Sequence, residues 1–327
     1  MISSLKLLIF FILINYMIPI NERIDFYKGA ILRNNMEFTL DYKKSNDIIK
    51  YNNLNIRYFS NVNDLQNTYN NEKLYSKPMS ALLNMYHHTN KPFLMSVGDI
   101  YEPAIAKHVN IPVFTKNRMS ASDDDTSIIL RSLNFTRHWK LYYFSPPDIP
   151  FDRKKNTIYW RGVSTGNIKN PGNRFILLYN WFNKHDYIDI GFIEIVQEKY
   201  DWVRYIKGKH VWPKQFLKHK YLLSIEGNDK DSGLNWKLNS NSVVLMAKPR
   251  CQSWLMESKL IPGVHYILLK DDFSDLNEKY SWCQNHQAEC KQIVKNANEY
   301  MHQFSNNNIE NMIEKTLIDS YFQCLKQ

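Results

Sequence analysis

Three short segments carry side chains whose types and spacing could do transfer chemistry on a phosphorylated substrate. The first is Ser96-Val97-Gly98-Asp99, where a carboxylate follows an apolar run and a glycine turn. A carboxylate fixed at a strand end can take a proton from an attacking hydroxyl, so Asp99 is a candidate general base; an Asp after Gly also serves as a plain turn residue. The second segment runs Tyr159-Trp160-Arg161-Gly162-Val163-Ser164-Thr165-Gly166-Asn167. Arg161, Gly162, Ser164 and Thr165 offer a guanidinium, backbone N–H groups and two hydroxyls to phosphate oxygens, and Arg174 adds a second cation. The pattern is neither a P-loop nor a dinucleotide fingerprint, and a strand-to-helix turn with a solvated arginine accounts for it equally well.

The third segment spans Ser224 to Met246. An apolar run through Ile225 breaks at Glu226-Gly227-Asn228-Asp229, passes Ser232, Gly233, Asn235, Trp236 and Lys237, and returns to Ser242-Val243-Val244-Leu245-Met246. Ligands of open α/β sheets gather outside the carboxyl ends of the strands. Gly227, Asn228 and Asp229 stand at such an end, and a short helix after Ser232-Gly233 would aim its N-terminus at a diphosphate. A solvated loop whose Gly and Asn permit positive φ is the competing reading. Glu257, on a predicted helix, either grips ribose hydroxyls or lies at the surface. Asp123-Asp124-Asp125 reads as a solvated loop tip rather than a metal site.

The rest of the chain must position these segments. A length of 327 residues allows two domains, each able to build its own core. With 44% hydrophobic and 14% aromatic residues, disorder is excluded. The net charge of +10 points to an anionic partner such as a phospholipid surface, nucleic acid or phosphorylated small molecules, although a Lys-, Asn- and Ile-rich chain also drifts basic without one. Cys251, Cys283, Cys290 and Cys324 form no CxxC pair, which argues against zinc; Cys283 and Cys290 could pair only in an oxidising compartment, and reduced thiols are the simpler reading.

The apolar stretch from Leu7 to Ile20 is short of the roughly 20 residues that span a bilayer. It reads as a surface helix or an uncleaved anchor, with a signal peptide as the alternative. Predicted strands at Phe93–Val97, in "NIPVFTKNR", "YIDIGFIEI", "YLLSIEG", "SVVLM" and "VHYILL" alternate with helical stretches near Met79–Tyr86, from about Asn173, and along "DLNEKYSWCQNHQAECKQIVKNANEYMHQF". The Pro146-Pro147 and Pro150 region reads as an interdomain linker. The domain reading is therefore a membrane-associating segment at 1–20, a first domain at 21–148, which the family resemblance given below makes the acceptor side, and a ligand-binding domain at 149–327 whose last helix can pack back on the first.

In order, "FLMSVGD", "IPVFTKNR", "YWRGVSTG" with "NRF", "KYLLSIEGND…GLNWKLNSNSVVLM" and "WLMESKLIPGVHYILLKDDFSDL" resemble glycosyltransferase family 90. That group includes the protein O-glucosyltransferases, capsule-associated xylosyltransferases and bacterial lipopolysaccharide-type sugar transferases; the bacterial branch is the most similar. The resemblance implies an α/β fold of GT-B type, with two Rossmann-like domains facing across a cleft. It implies a nucleotide-sugar donor, expected to be a UDP-sugar, held mainly by the C-terminal domain with no obligatory metal or other cofactor. It implies an inverting transfer with Asp99 as base, Arg161-Gly162 at the donor, and the Gly227 and Ser232 to Lys237 segment beside it. Many relatives carry Arg or Lys where this chain has Asn235, which leaves Lys237, or Arg161 and Arg174, to supply the diphosphate cation.

The expected partners are the donor, a glycan, glycolipid or protein hydroxyl acceptor, and an anionic membrane surface, with no nucleic acid. Surface-glycan or lipopolysaccharide synthesis at the cytoplasmic face of a membrane is the leading expectation. A lumenal protein O-glycosyltransferase and a catalytically weak carbohydrate- or surface-binding protein are the alternatives.

Overall fold

The computed structural model describes residues 17–51, 55–68, 76–96, 98–99, 111–119, 126–134, 136–140, 148–206 and 211–326. Val97, Asp123-Asp124-Asp125, most of the apolar N-terminal segment and Pro146-Pro147 lie outside them. The chain divides into two compact units: one draws on Met1–Phe135 and His302–Gln327, the other on Thr136–Met301. Among the described residues, no helix is long and apolar enough to cross a membrane.

The first unit holds a four-stranded sheet of β1 (Ile56–Phe59), β2 (Phe93–Ser96), β3 (Val113–Thr115) and β4 (Ser127–Ile129), in that spatial order. β1 runs antiparallel to β2, and the other neighbours are parallel. Every residue of β2 is buried, as expected for an interior strand covered on both faces. The predicted second strand is split: Val113–Thr115 joins this sheet, and Asn117–Met119 forms a separate strand. The C-terminal helix Asn307–Cys324 belongs to this unit. Its Tyr321 hydroxyl accepts from the Leu94 amide at 3.2 Å. Glu314 accepts from the Ser132 amide and hydroxyl at 2.7 and 2.6 Å. Glu310 takes both its oxygens to Arg23 of α1 (Ile20–Tyr27) at 2.6 and 2.8 Å. Both oxygens meet the same guanidinium nitrogen, Nη2, and an ion pair buried this deeply fixes how the two helices meet.

The second unit is built on β5 (Lys155–Val163), β6 (Ile188–Glu194), β7 (His219–Leu223), β8 (Val243–Met246) and β9 (Ile267–Leu268). Every pairing in this sheet is parallel, and the spatial order is β9-β8-β7-β5-β6. Counted along the unit this is 2-1-3-4-5, a doubly wound sheet whose strand order reverses between β5 and β7. Trp160, Phe192, Tyr221, Leu223 and Leu245 fill one core against the sheet, with Cys283, Cys290 and Ile293 packed on it. The latter three come from α4 (Leu276–Asn285) and α5 (Gln287–His302), which follow α2 (Arg174–Trp181) and α3 (Leu234–Leu238) in the chain. All four cysteines are free thiols.

Asn173 caps α2, its side chain accepting from the Phe175 and Ile176 amides at 3.0 Å each, so the helix starts where the sequence places it. "VHYILL" contributes only two residues of strand. β9 is an edge strand reached through a turn at Gly263, whose φ is +75°, and the turn leaves little length to pair. The α/β class expected from the alternation of strands and helices is present in both units.

Candidate functional site

Chains leaving β5 and β7 part company at the reversal point, and two of the three chemistry-bearing segments are these exits. β5 runs into Ser164-Thr165-Gly166, and β7 into Ser224-Ile225-Glu226-Gly227. Crevices of this kind are where open α/β sheets hold ligands. Arg174, the first residue of α2, stitches the two exits together. Its guanidinium donates to the Val163 carbonyl at 2.9 Å, the Thr165 hydroxyl at 2.8 Å and the Ile225 carbonyl at 3.2 Å. Burial pushes the guanidinium's pKa down, opposed by Asp231 and Asp229. Its buried Nε has no hydrogen-bond partner among the described residues.

Gly227 is required by this clamp. A Cβ there would stand 2.9 Å from both Arg174 Nη2 and Thr165 Oγ1, closer than packed atoms approach. Gly166, with φ +131°, adopts a backbone conformation that side-chain-bearing residues rarely take, and a Cβ there would stand 3.4 Å from the Gly227 carbonyl oxygen. Gly227→Ala should therefore open the clamp and weaken nucleotide binding about tenfold. Calorimetry on the variant checks this, and an unchanged affinity would show that ligand binding does not need the close approach.

A residue absent from the sequence reading, Gln197, closes the same loops from the β6 side. The Gly166 amide donates to Gln197 Oε1 at 3.2 Å, and Gln197 Nε2 donates to Asn228 Oδ1 at 3.1 Å. Ser164 is fully buried. Its hydroxyl accepts from the Val196 and Gln197 amides at 2.9 and 3.1 Å and donates to the Gln197 carbonyl at 2.9 Å. Ser164 thus binds the protein's own backbone rather than offering a hydroxyl to phosphate. No sequence spacing announces it, because the partner comes from the adjacent strand's exit.

Lys237 is also placed otherwise than as a phosphate cation. Its ammonium is buried, donating to Asp231 Oδ2 at 2.5 Å and the Leu223 carbonyl at 3.0 Å. Asp231 further accepts from the Ser224 hydroxyl at 2.7 Å and the Gly233 amide at 2.9 Å. Burial alone would raise the Asp231 carboxyl, yet Lys237 and these hydrogen bonds hold it below its usual range. The N-terminus of α3, expected to face a diphosphate, is therefore answered by Asp231. Gly233 closes on the Trp236 ring, which its Cβ would meet at 3.0 Å. Ser232 is half-buried in the lead-in to that helix. Asn235, also buried, donates to the Lys140 carbonyl at 3.0 Å.

Arg161 pairs with the Asp189 carboxylate, donates to the Asp189 and Trp160 carbonyls at 2.9 Å each, and lies over the Tyr159 ring at 4.7 Å. The β6 neighbour thus takes its charge, which the sequence reading offered to phosphate. Gly162 is needed for packing, since a Cβ there would meet the Trp160 ring at 2.6 Å. Glu257 is neither at the surface nor on an α-helix. It is buried in a 3-10 turn, accepting from the Ser253 amide and hydroxyl at 2.6 Å each, with the Lys230 ammonium 3.9 Å away. Burial raises its pKa, and Lys230 opposes the rise.

A pocket opens at the carboxyl ends of β7 and β8, lined in part by Gly172, Glu226, Lys230, Lys248 and Arg250. Glu226 accepts from the Arg250 amide at 2.9 Å, its Nε at 3.0 Å and the Cys251 amide at 3.0 Å. Lys248 is exposed. These two cations lie in Lys248-Pro249-Arg250, directly past the apolar strand, so the strand-end rule that singled out Glu226 to Asp229 would have found them had it been applied to β8. Among the described residues, no group of three or more His, Cys, Asp or Glu is placed to hold a metal. In the first unit, Asp99 stands just beyond β2; its carboxylate is 54% exposed and 2.9 Å from the Lys116 ammonium.

The second unit thus brings together two glycine-bearing loops clamped by the buried Arg174, with the exposed Lys248 and the Glu226-paired Arg250 at the next strand end. The profile of Glycosyl transferase family 90 matches residues 145–327. O-glucosyltransferase LpsA of Dichelobacter nodosus is 31% identical over 252 residues, covering 77% of this chain and 73% of that protein. The chain belongs to glycosyltransferase family 90 and is a glycosyltransferase. Protein O-glucosyltransferase 2 of Danio rerio is 35% identical over 86 residues, 26% of this chain and 17% of that one. Among solved structures, Anabaena HepE in complex with UDP and glucose superposes with a TM-score of 0.42 at 12% identity, covering 67% of this chain and 70% of the other. At that level of similarity the strand order of the second unit, not the neighbour, defines its fold.

Proposed function

We propose that the protein transfers a sugar from a nucleotide-sugar donor, a UDP-sugar, to a hydroxyl of a glycan acceptor in surface-glycan or lipopolysaccharide synthesis, with inversion at the anomeric carbon. The observation that carries the reading is the pair of loops at the β5/β7 reversal, clamped by Arg174 and flanked by Lys248 and Arg250 at the next strand end. Family membership supplies the reaction class, and the likeness to a bacterial O-glucosyltransferase supports transfer of a sugar to a hydroxyl oxygen. The basic balance of the chain suits work at the cytoplasmic face of an anionic membrane.

In this mechanism the Asp99 carboxylate takes the acceptor hydroxyl proton as that oxygen bonds to the anomeric carbon. The bond from that carbon to the nucleoside diphosphate breaks, and its electron pair leaves with the diphosphate. Lys248, Arg250 and the loop amides stabilise the charge that develops there, which is where fixed donors contribute most. Arg174 acts by holding the loops in register. Lys248→Ala and Arg250→Ala should each lower kcat/KM for UDP-glucose by about 10- to 100-fold, read as UDP release with and without chelator. Wild-type rates in both variants would remove these cations from the diphosphate site.

A further inference from the structure

The second unit carries an aromatic basin that donor chemistry leaves unused. Phe175, Ile176, Tyr179 and Asn180 of α2 form one wall, and Tyr200 and Trp202 from the segment after β6 form the other. Tyr200 and Trp202 lie nearly parallel, with ring centroids 5.7 Å apart and planes at 14°. Tyr179 meets Trp202 at 5.9 Å and 52°, and Phe175 meets Tyr200 at 5.8 Å and 69°. The concavity has a volume of about 380 Å³, within the range of ~300–1,000 Å³ typical of small-ligand sites. Tyr179 is 72% exposed and Tyr200 41% exposed. Aromatic side chains of this size ordinarily bury their faces, and a group of them left open around a concavity marks a recognition surface.

The lining selects the ligand class. None of the six residues is charged, so the basin has no counter-charge for a phosphate or a carboxylate. It presents flat π faces, electron-rich above the ring, to C–H bonds polarised by adjacent oxygens, with phenol and amide groups that exchange hydrogen bonds with hydroxyls. A pyranose ring, apolar on its C–H face and hydroxylated at its edge, has that combination of surfaces. We propose that the basin is a subsite for a neutral hexose or pentose unit of a glycan.

Its placement suits a chain engaged with the donor loops. Arg174 of the clamp begins α2, and Tyr179 stands five residues on, ~7.5 Å along the helix axis at 1.5 Å per residue. The opposite wall follows Val196 and Gln197, which Ser164 holds through three hydrogen bonds and which Gln197 extends to Gly166 and Asn228. The identity of the ligand rests on the transferase reading above.

Saturation-transfer NMR and calorimetry on the full chain with maltotriose, cellotriose and xylotriose test the proposal, with UDP as a parallel probe. The expected result is binding of at least one trisaccharide, weakened about tenfold by Tyr179→Ala while circular dichroism and the thermal midpoint stay at wild-type values. If UDP binds the wild type and no trisaccharide does, the basin proposal fails and the donor site stands. If UDP fails to bind as well, the reading beneath the proposal fails with it. Trisaccharide binding that Tyr179→Ala leaves unchanged places the sugar elsewhere and also overturns it. So does Tyr179-dependent binding to phosphatidylglycerol vesicles without any saccharide binding, which would make these rings a membrane contact.

Discussion

Replacing Asp99 by Asn should lower the rate of sugar transfer by about 10²- to 10⁴-fold, the usual contribution of a positioned general base. The substitution keeps the size and the hydrogen-bonding shape of the side chain. It removes the proton acceptor and the charge that meets the Lys116 ammonium at 2.9 Å. Because Asp99 lies in the first unit and the groups proposed to hold the diphosphate lie in the second, affinity for UDP should stay within about twofold of wild type. The loss then appears in kcat and not in donor binding. Comparing transfer rates and UDP affinity side by side checks both halves. A variant that still transfers at the wild-type rate would show that the acceptor proton leaves by another route.

Lys237→Ala should cost the second unit about 3–5 kcal/mol, because it strands the Asp231 carboxylate in a buried position. Asp231 would keep the Ser224 hydroxyl and the Gly233 amide, too little to replace an ammonium at 2.5 Å. The Leu223 carbonyl at the end of β7 would also lose its donor. A combined Lys237→Met and Asp231→Asn variant removes both charges and should recover most of the loss. Urea unfolding followed by tryptophan fluorescence reads the difference as a shift in midpoint. Equal stability of Lys237→Ala and wild type would mean that the ion pair contributes nothing to the fold. That result would reopen Lys237 as a ligand-facing cation.

These two residues illustrate what the sequence carries and what it does not. The positions of Asp99 and Gly227 past strand ends, and of Arg174 at a helix start, were legible because these are local features, read from a few neighbouring residues. The alternation of strands and helices likewise made the α/β class legible, and Asn173 announced the start of α2. Lys237 and Arg161 were read as cations available to phosphate, since the sequence alone does not say which carboxylate each one meets. Their partners differ in how far away they lie: Asp231 is six residues before Lys237, whereas Asp189 reaches Arg161 only through the β5–β6 pairing. Gln197 was invisible for the same reason, as its three loop partners come together only at the reversal of the sheet. The C-terminal helix was expected to be able to pack back on the first domain, but the residues it would meet were not legible, because Arg23–Glu310 and Ser132–Glu314 pair across 287 and 182 positions.

The most direct test of the account is calorimetric titration of the full chain with UDP, UDP-glucose and a panel of other nucleoside diphosphates, with magnesium and with chelator. The account predicts that UDP binds without added metal, that one nucleobase is preferred, and that Gly227→Ala weakens the interaction. Failure of every nucleotide to bind a demonstrably folded protein would contradict the assignment of a donor site at the β5/β7 reversal.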